Sequence, residues 1–133
     1  MIIESKIGKI LRPAEEIYNI LSDFRKIGPL LPKEYVKDVT ITQDTCSFTA
    51  EGAGNMEIKI VNRNPFALIK YTSGSSVPVP FFFWVQLKEA VPGDTRLKLT
   101  LKAEIPKMME FIVKSKIEKA LNELVDKISA MQY

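Results

Sequence analysis

Residues 95–131 read TRLKLTLKAEIPKMMEFIVKSKIEKALNELVDKISAM, and two successive periods in this stretch decide the fold. From Thr95 to Ile105, one face collects Leu97, Leu99, Leu101, Ala103 and Ile105, and the other collects Arg96, Lys98, Thr100, Lys102 and Glu104. A period of two describes a strand with one buried and one wet side. Pro106 suits the first turn of a helix. Beyond it Met109, Val113, Ile117, Ala120, Leu121, Leu124, Ile128 and Met131 recur every three or four residues, as on an amphipathic helix. A helix over 107–131 would be roughly 37 Å long, at about 1.5 Å per residue. It needs an apolar trough of matching length.

The rest of the chain offers one. Residues 2–11 predict a first strand, with Ile3 and Ile7 on one face and Ile2 and Ile10 breaking the alternation. Pro13 opens a helix whose first turn carries Glu15 and Glu16, matching the positive end of its dipole, and whose stripe is Ala14, Ile17, Tyr18 and Leu21. Ser22 or Asp23 caps a second short helix bearing Phe24, Ile27, Leu30 and Leu31, made irregular by Gly28 and Pro29 and ended by Pro32. Strands follow over 36–42, 45–51, 56–63, 66–73 and 81–89, with turns at 43–44, 52–55, 64–65 and 92–94 and a longer loop over 74–80. Short connections favour antiparallel neighbours. The pattern predicts one α+β domain over 1–133. A curved antiparallel sheet of about seven strands wraps a long C-terminal helix, with two short helices after the first strand.

Composition narrows the functions. The chain has 133 residues and is 46% hydrophobic, enough for a real core. Its longest apolar run, 77–85, contains two prolines and is too short to span a bilayer, so no stable membrane insertion is expected. The opening MIIESK lacks the pattern of a signal peptide, and Cys46 is the only cysteine; both predict a cytoplasmic location. A net charge of +3 with interleaved signs argues against a nucleic-acid partner, which needs a clustered basic footprint. There is no histidine, which removes Ser-His-Asp and Cys-His catalysis and, with a single cysteine, predicts no metal and no cofactor.

The segments IESKIGKILRPAEEIYNILSDF, LLPKEYVKDVTITQDTCSFTAEGAGNMEIKI and KMMEFIVKSKIEKALNELVDKIS, taken in this order, resemble the START-like (SRPBCC, helix-grip) superfamily of lipid-transfer domains, pollen-allergen-related proteins and polyketide cyclases. The likeness is greatest to small single-domain bacterial members. It implies an apolar cavity between sheet and helix that holds a lipid-, sterol- or polyketide-like molecule. The cavity-facing positions would be Phe48, Ile58, Ile60, Ile69, Tyr71, Phe83, Val85, Leu87, Leu97, Leu99, Leu101, Met109, Val113 and Ile117. The expected function is binding, carriage or sensing of a small hydrophobic ligand, with no catalytic residue assigned. Two alternatives stay open. One is a cyclase- or hydratase-type enzyme, which needs ionisable groups inside. The other is a protein-interaction module with a filled interior.

Single residues carry less. Tyr71 is the polar candidate of the cavity, unless its hydroxyl meets a backbone group; Ser5 is a second inward polar candidate. Cys46 reads as an inert buried thiol. Within Phe81-Phe82-Phe83-Trp84, an inward Phe83 sends Phe82 and Trp84 outward. Either a loop or the N-terminal strand covers them, or they form a homodimer contact.

Overall fold

The computed structural model of the protein describes residues 1–28, 36–50, 54–74 and 80–131. In chain order the elements are β1 (Ile2–Glu4), β2 (Gly8–Ile10), α1 (Ala14–Leu21), α2 (Phe24–Ile27), β3 (Val36–Ile41), β4 (Thr45–Ala50), β5 (Gly54–Asn64), β6 (Leu68–Ser73), β7 (Phe81–Val91), β8 (Asp94–Ala103) and α3 (Lys107–Ser129). The strands form one open antiparallel sheet in the order β1-β8-β7-β6-β5-β4-β3, with β2 also pairing β8. This is the α+β arrangement that the two periods of 95–131 imply. The predicted residues Leu30, Leu31 and Pro32, and positions 51–53 and 75–79, lie outside the described residues.

The expected first strand is two strands. Ile3 faces Leu101 and Gly8 faces Leu97, so five steps of the first strand oppose four of β8. The extra residue is a bulge, and it reverses which side chains point inward. Ile3 and Ile10 are therefore both buried, whereas Ile7, expected beside Ile3, is exposed. Ser5 holds the bulge: its N–H donates to the Leu99 carbonyl (2.8 Å), and its hydroxyl accepts from the Leu99 N–H (2.8 Å) and donates to the Lys6 carbonyl (2.7 Å). Further register shifts, at Lys37/Thr40, Ile60/Asn62 and Glu89/Val91, bend the other strands.

β6 starts at Leu68, later than its predicted start. Phe66 belongs to the turn at φ 65, and its ring packs edge-on against Tyr18 at 5.6 Å. The α1 stripe is buried as read, and Asp23 caps α2 by accepting the Arg25 N–H. The first helical N–H of α1, at Ala14, is met from afar by Glu89 Oε1 at 2.7 Å, because Pro13 has no side chain that can cap. On the wet side of β8, Thr100 is buried, donating to Gln86 Oε1 at 2.9 Å.

The long helix docks by its second half. Leu121, Val125 and Ile128 are buried, and α3 meets β1, β2 and β8. Gly8 makes the approach close: a Cβ there would lie 2.6 Å from Val125 Cγ1. Lys6 adds an ion pair to Asp126 (2.6 Å) and a backbone N–H to Asn122 Oδ1 (2.7 Å). Met109 and Ala120, expected on the buried stripe, are exposed, and Val125 takes the central place.

Candidate functional site

The register assembles the inward side chains into rows. One row runs Ile3, Leu101, Phe83, Tyr71, Ile60; the next runs Leu99, Val85, Ile69; beyond it Leu97 faces Leu87. Of the positions expected to face a cavity, Ile60, Ile69, Tyr71, Val85, Leu87, Leu97 and Leu99 are buried in the core. Phe48, Ile58, Phe83, Leu101 and Ile117 are half-buried against it, and Val113 is half-buried. Met109 is 52% exposed and stands at the rim, because the first turns of α3 are not docked on the sheet.

Burial falls in one direction along β5, β7 and α3, although Ile3 and the last residue of β8, Ala103, stay buried at that end. Along β7 it passes from buried Leu87 and Val85 to half-buried Phe83 and Phe81. Along β5 it passes from buried Ile60 to half-buried Ile58 and Met56. Along α3, read backward, it passes from buried Ile128, Val125 and Leu121 through half-buried Ile117 and Val113 to exposed Met109. The register places the half-buried ends of these strands together, at the end where α3 begins. The interior is thus sealed where α3 meets Gly8 and loosens toward Pro106.

The chemistry available inside is limited. Among the described residues the buried titratable groups are Tyr18, Asp23, Cys46 and Tyr71. Tyr71 donates its hydroxyl to the Leu21 carbonyl at 2.5 Å, and burial pushes the phenol well above its usual range. Its single proton therefore braces the end of α1. Burial likewise raises the Cys46 thiol, keeping it protonated and unreactive. Asp23 is held below the ordinary carboxylate range chiefly by the Arg25 guanidinium, which donates to Oδ2 at 2.7 Å. Ser5 is buried, but its hydroxyl is spent on the bulge. No group of three metal-ligating side chains occurs among the described residues.

On the opposite face of the sheet, Phe82 and Trp84 point outward with ring centroids 6.0 Å apart. Lys70 lies across both, 4.6 Å from the Phe82 centroid and 5.6 Å from that of Trp84. Among the described residues, Lys70 covers part of both rings, and sequence spacing gives no hint of this pairing. Elsewhere an open depression of about 710 Å³ follows the solvent side of α3 from Phe111 to Asp126. Every residue lining it belongs to that one helix, so it has no opposing wall with which to enclose a molecule.

Solved structures share this architecture. A START superfamily protein from Mycobacterium smegmatis matches with a TM-score of 0.71 at 17% identity, over 96% of this chain and 92% of that one. Truncated norcoclaurine synthase from Thalictrum flavum matches with a TM-score of 0.72 at 12% identity, over 100% and 95% of the two chains. The di-domain aromatase/cyclase BexL matches with a TM-score of 0.69 at 13% identity, over 97% of this chain and 45% of that one. No family model and no curated protein matches the sequence. The fold is therefore the START-like helix-grip fold, of the kind also found in polyketide cyclases. No helix among the described residues is long and apolar enough to cross a membrane.

Proposed function

We propose that the chain binds a small hydrophobic molecule, lipid-like or polyketide-like, between the sheet and the first half of α3. The observation that carries this reading is the directional loss of burial toward Phe83, Leu101, Val113 and Ile117. A helix docked along its whole length would cover such side chains and pack them to the density of a closed core. An apolar void costs about 24 cal/mol per Å³, so a sealed dry space of about 300 Å³ would cost roughly 7 kcal/mol. Whole-domain stability is only about 5–15 kcal/mol. A helix docked at one end and free at the other avoids that penalty by leaving the apolar wall open to a ligand. The titratable groups Tyr71, Cys46 and Asp23 are tied up or held neutral, which favours binding over an acid–base reaction.

The test is uptake of a fluorescent long-chain fatty-acid analogue by the whole chain in lipid-free solution. Phe83→Glu should weaken it by at least about tenfold, since a carboxylate would have to be buried beside the ligand. Val113→Trp, which fills space without adding charge, should weaken it too. Equal affinity in the wild type and both variants would overturn the reading.

A further inference from the structure

We infer that the outer face of the first turns of α3 docks the protein on an anionic phospholipid surface. Met108 is 93% exposed, Phe111 91% and Ile112 61%. At spacings of three and four residues they share one side of the helix. Farther along, the same side carries the polar residues Ser115, Lys119, Asn122 and Asp126, the last two of which meet Lys6. The apolar cluster is thus confined to the helix tip and contradicts the polarity of the rest of its face.

Charge selects the occupant. Lys107 and Lys114 flank Phe111 at four residues before and three after, and Lys116 and Lys119 follow Ile112 by four and seven. None of the four is ion-paired with a described residue. Against them stand Glu110 and Glu118, so residues 107–119 carry four positive and two negative charges. Of the two acids, Glu110 is half-buried on the inner side. A second copy in isologous contact would set this cationic rim against itself. A layer of lipid phosphates complements it, while Met108, Phe111 and Ile112 reach the acyl boundary as in an interfacial helix. The placement also turns the loosened end of the interior toward the bilayer. That consequence rests on the ligand-binding reading; the docking itself does not.

The experiment is co-sedimentation of the whole chain with phosphatidylcholine vesicles, with and without about 30 mol% phosphatidylserine. Binding is expected only with phosphatidylserine, and it should fall steeply as salt rises from about 0.1 M to about 0.5 M. Phe111→Ser should weaken binding at least about tenfold, the effect of withdrawing one aromatic side chain from the acyl boundary. Lys116→Gln should weaken it about fivefold. Both positions are exposed, so the unfolding midpoint should not move. Absence of sedimentation with anionic vesicles overturns the proposal, as does Phe111→Ser binding like the wild type. So does a doubled solution mass that Phe111→Ser abolishes, which would mean the cluster meets a second copy. If the wild type sediments but takes up no fatty-acid analogue in lipid-free solution, docking stands and the ligand-binding reading fails.

Discussion

The contact between Gly8 and Val125 fixes how α3 lies on the sheet, and it can be broken and repaired. Adding a methyl at Gly8 places carbon 2.6 Å from Val125 Cγ1 and 3.0 Å from Ser129 Oγ, both on α3. Replacing a strand glycine by alanine gains about 0.5–1 kcal/mol in chain entropy, while overpacking costs about 1–3 kcal/mol. The clash wins, and Gly8→Ala should destabilise by about 1–2 kcal/mol. Val125 is 1% exposed, so Val125→Ala removes two buried carbons at about 0.8 kcal/mol each and leaves a small cavity, for a loss of about 2–3 kcal/mol. In the double variant the new methyl enters the space that Val125 vacated. The combined loss should fall short of the sum by about 1–2 kcal/mol, with a remainder set by the Ser129 hydroxyl. Urea unfolding followed through the single tryptophan, Trp84, reads all four proteins at constant m. Losses that add to within about 0.5 kcal/mol would refute the close approach, and so would a Gly8→Ala protein more stable than the wild type.

Two more buried groups give checkable outcomes. Tyr71→Phe deprives the Leu21 carbonyl of its donor and should destabilise by about 1–3 kcal/mol. Because the folded phenol is raised above its unfolded value, its share of stability is complete below about pH 10 and declines above it, so the wild-type advantage in urea midpoint should shrink in alkali. Asp23 has the opposite sign. Its folded carboxyl is lowered, so its contribution is present above the unfolded value near about pH 3.9 and disappears as pH falls through the folded value. Asp23→Asn keeps a capping oxygen and should lose stability only above that range, with its curve meeting the wild type in acid, whereas Asp23→Ala also loses the cap, at about 1 kcal/mol.

The architecture is legible in the sequence because two clean periods sit side by side in residues 95–131, and because Ala14, Ile17, Tyr18 and Leu21 form an unambiguous stripe. The first strand shows the limit of such reading. Ile3 and Ile10 have opposite parity, so both can be buried only if an odd residue is inserted between them; the conflict signals the bulge, and Gly8 signals the close approach. Glu89 over the N-terminus of α1 and Lys70 over Phe82 and Trp84 join residues far apart in the chain or on separate strands, and no local pattern announces them. For the site, period alone identifies which side chains face inward. Which of them stay partly open depends on where along its length the helix touches the sheet, and that is set at Gly8 and Val125, far from Phe83 and Val113.

The same division of α3 separates two uses of its first half. At about 100° per residue, Phe111 and Val113 point to sides about 200° apart. Swinging the helix tip down onto the sheet would bury Val113 and Ile117 and draw in Met109 from the rim, yet no such movement buries Phe111 or Met108, which lie on the far side. Closure of the interior therefore cannot account for the outer cluster, and a partner for that cluster need not close the interior. One helix presents two apolar faces, the inner one turned toward the sheet and the outer one exposed. The docked second half, with Leu121, Val125 and Ile128 buried, anchors the helix whatever either face of the first half meets.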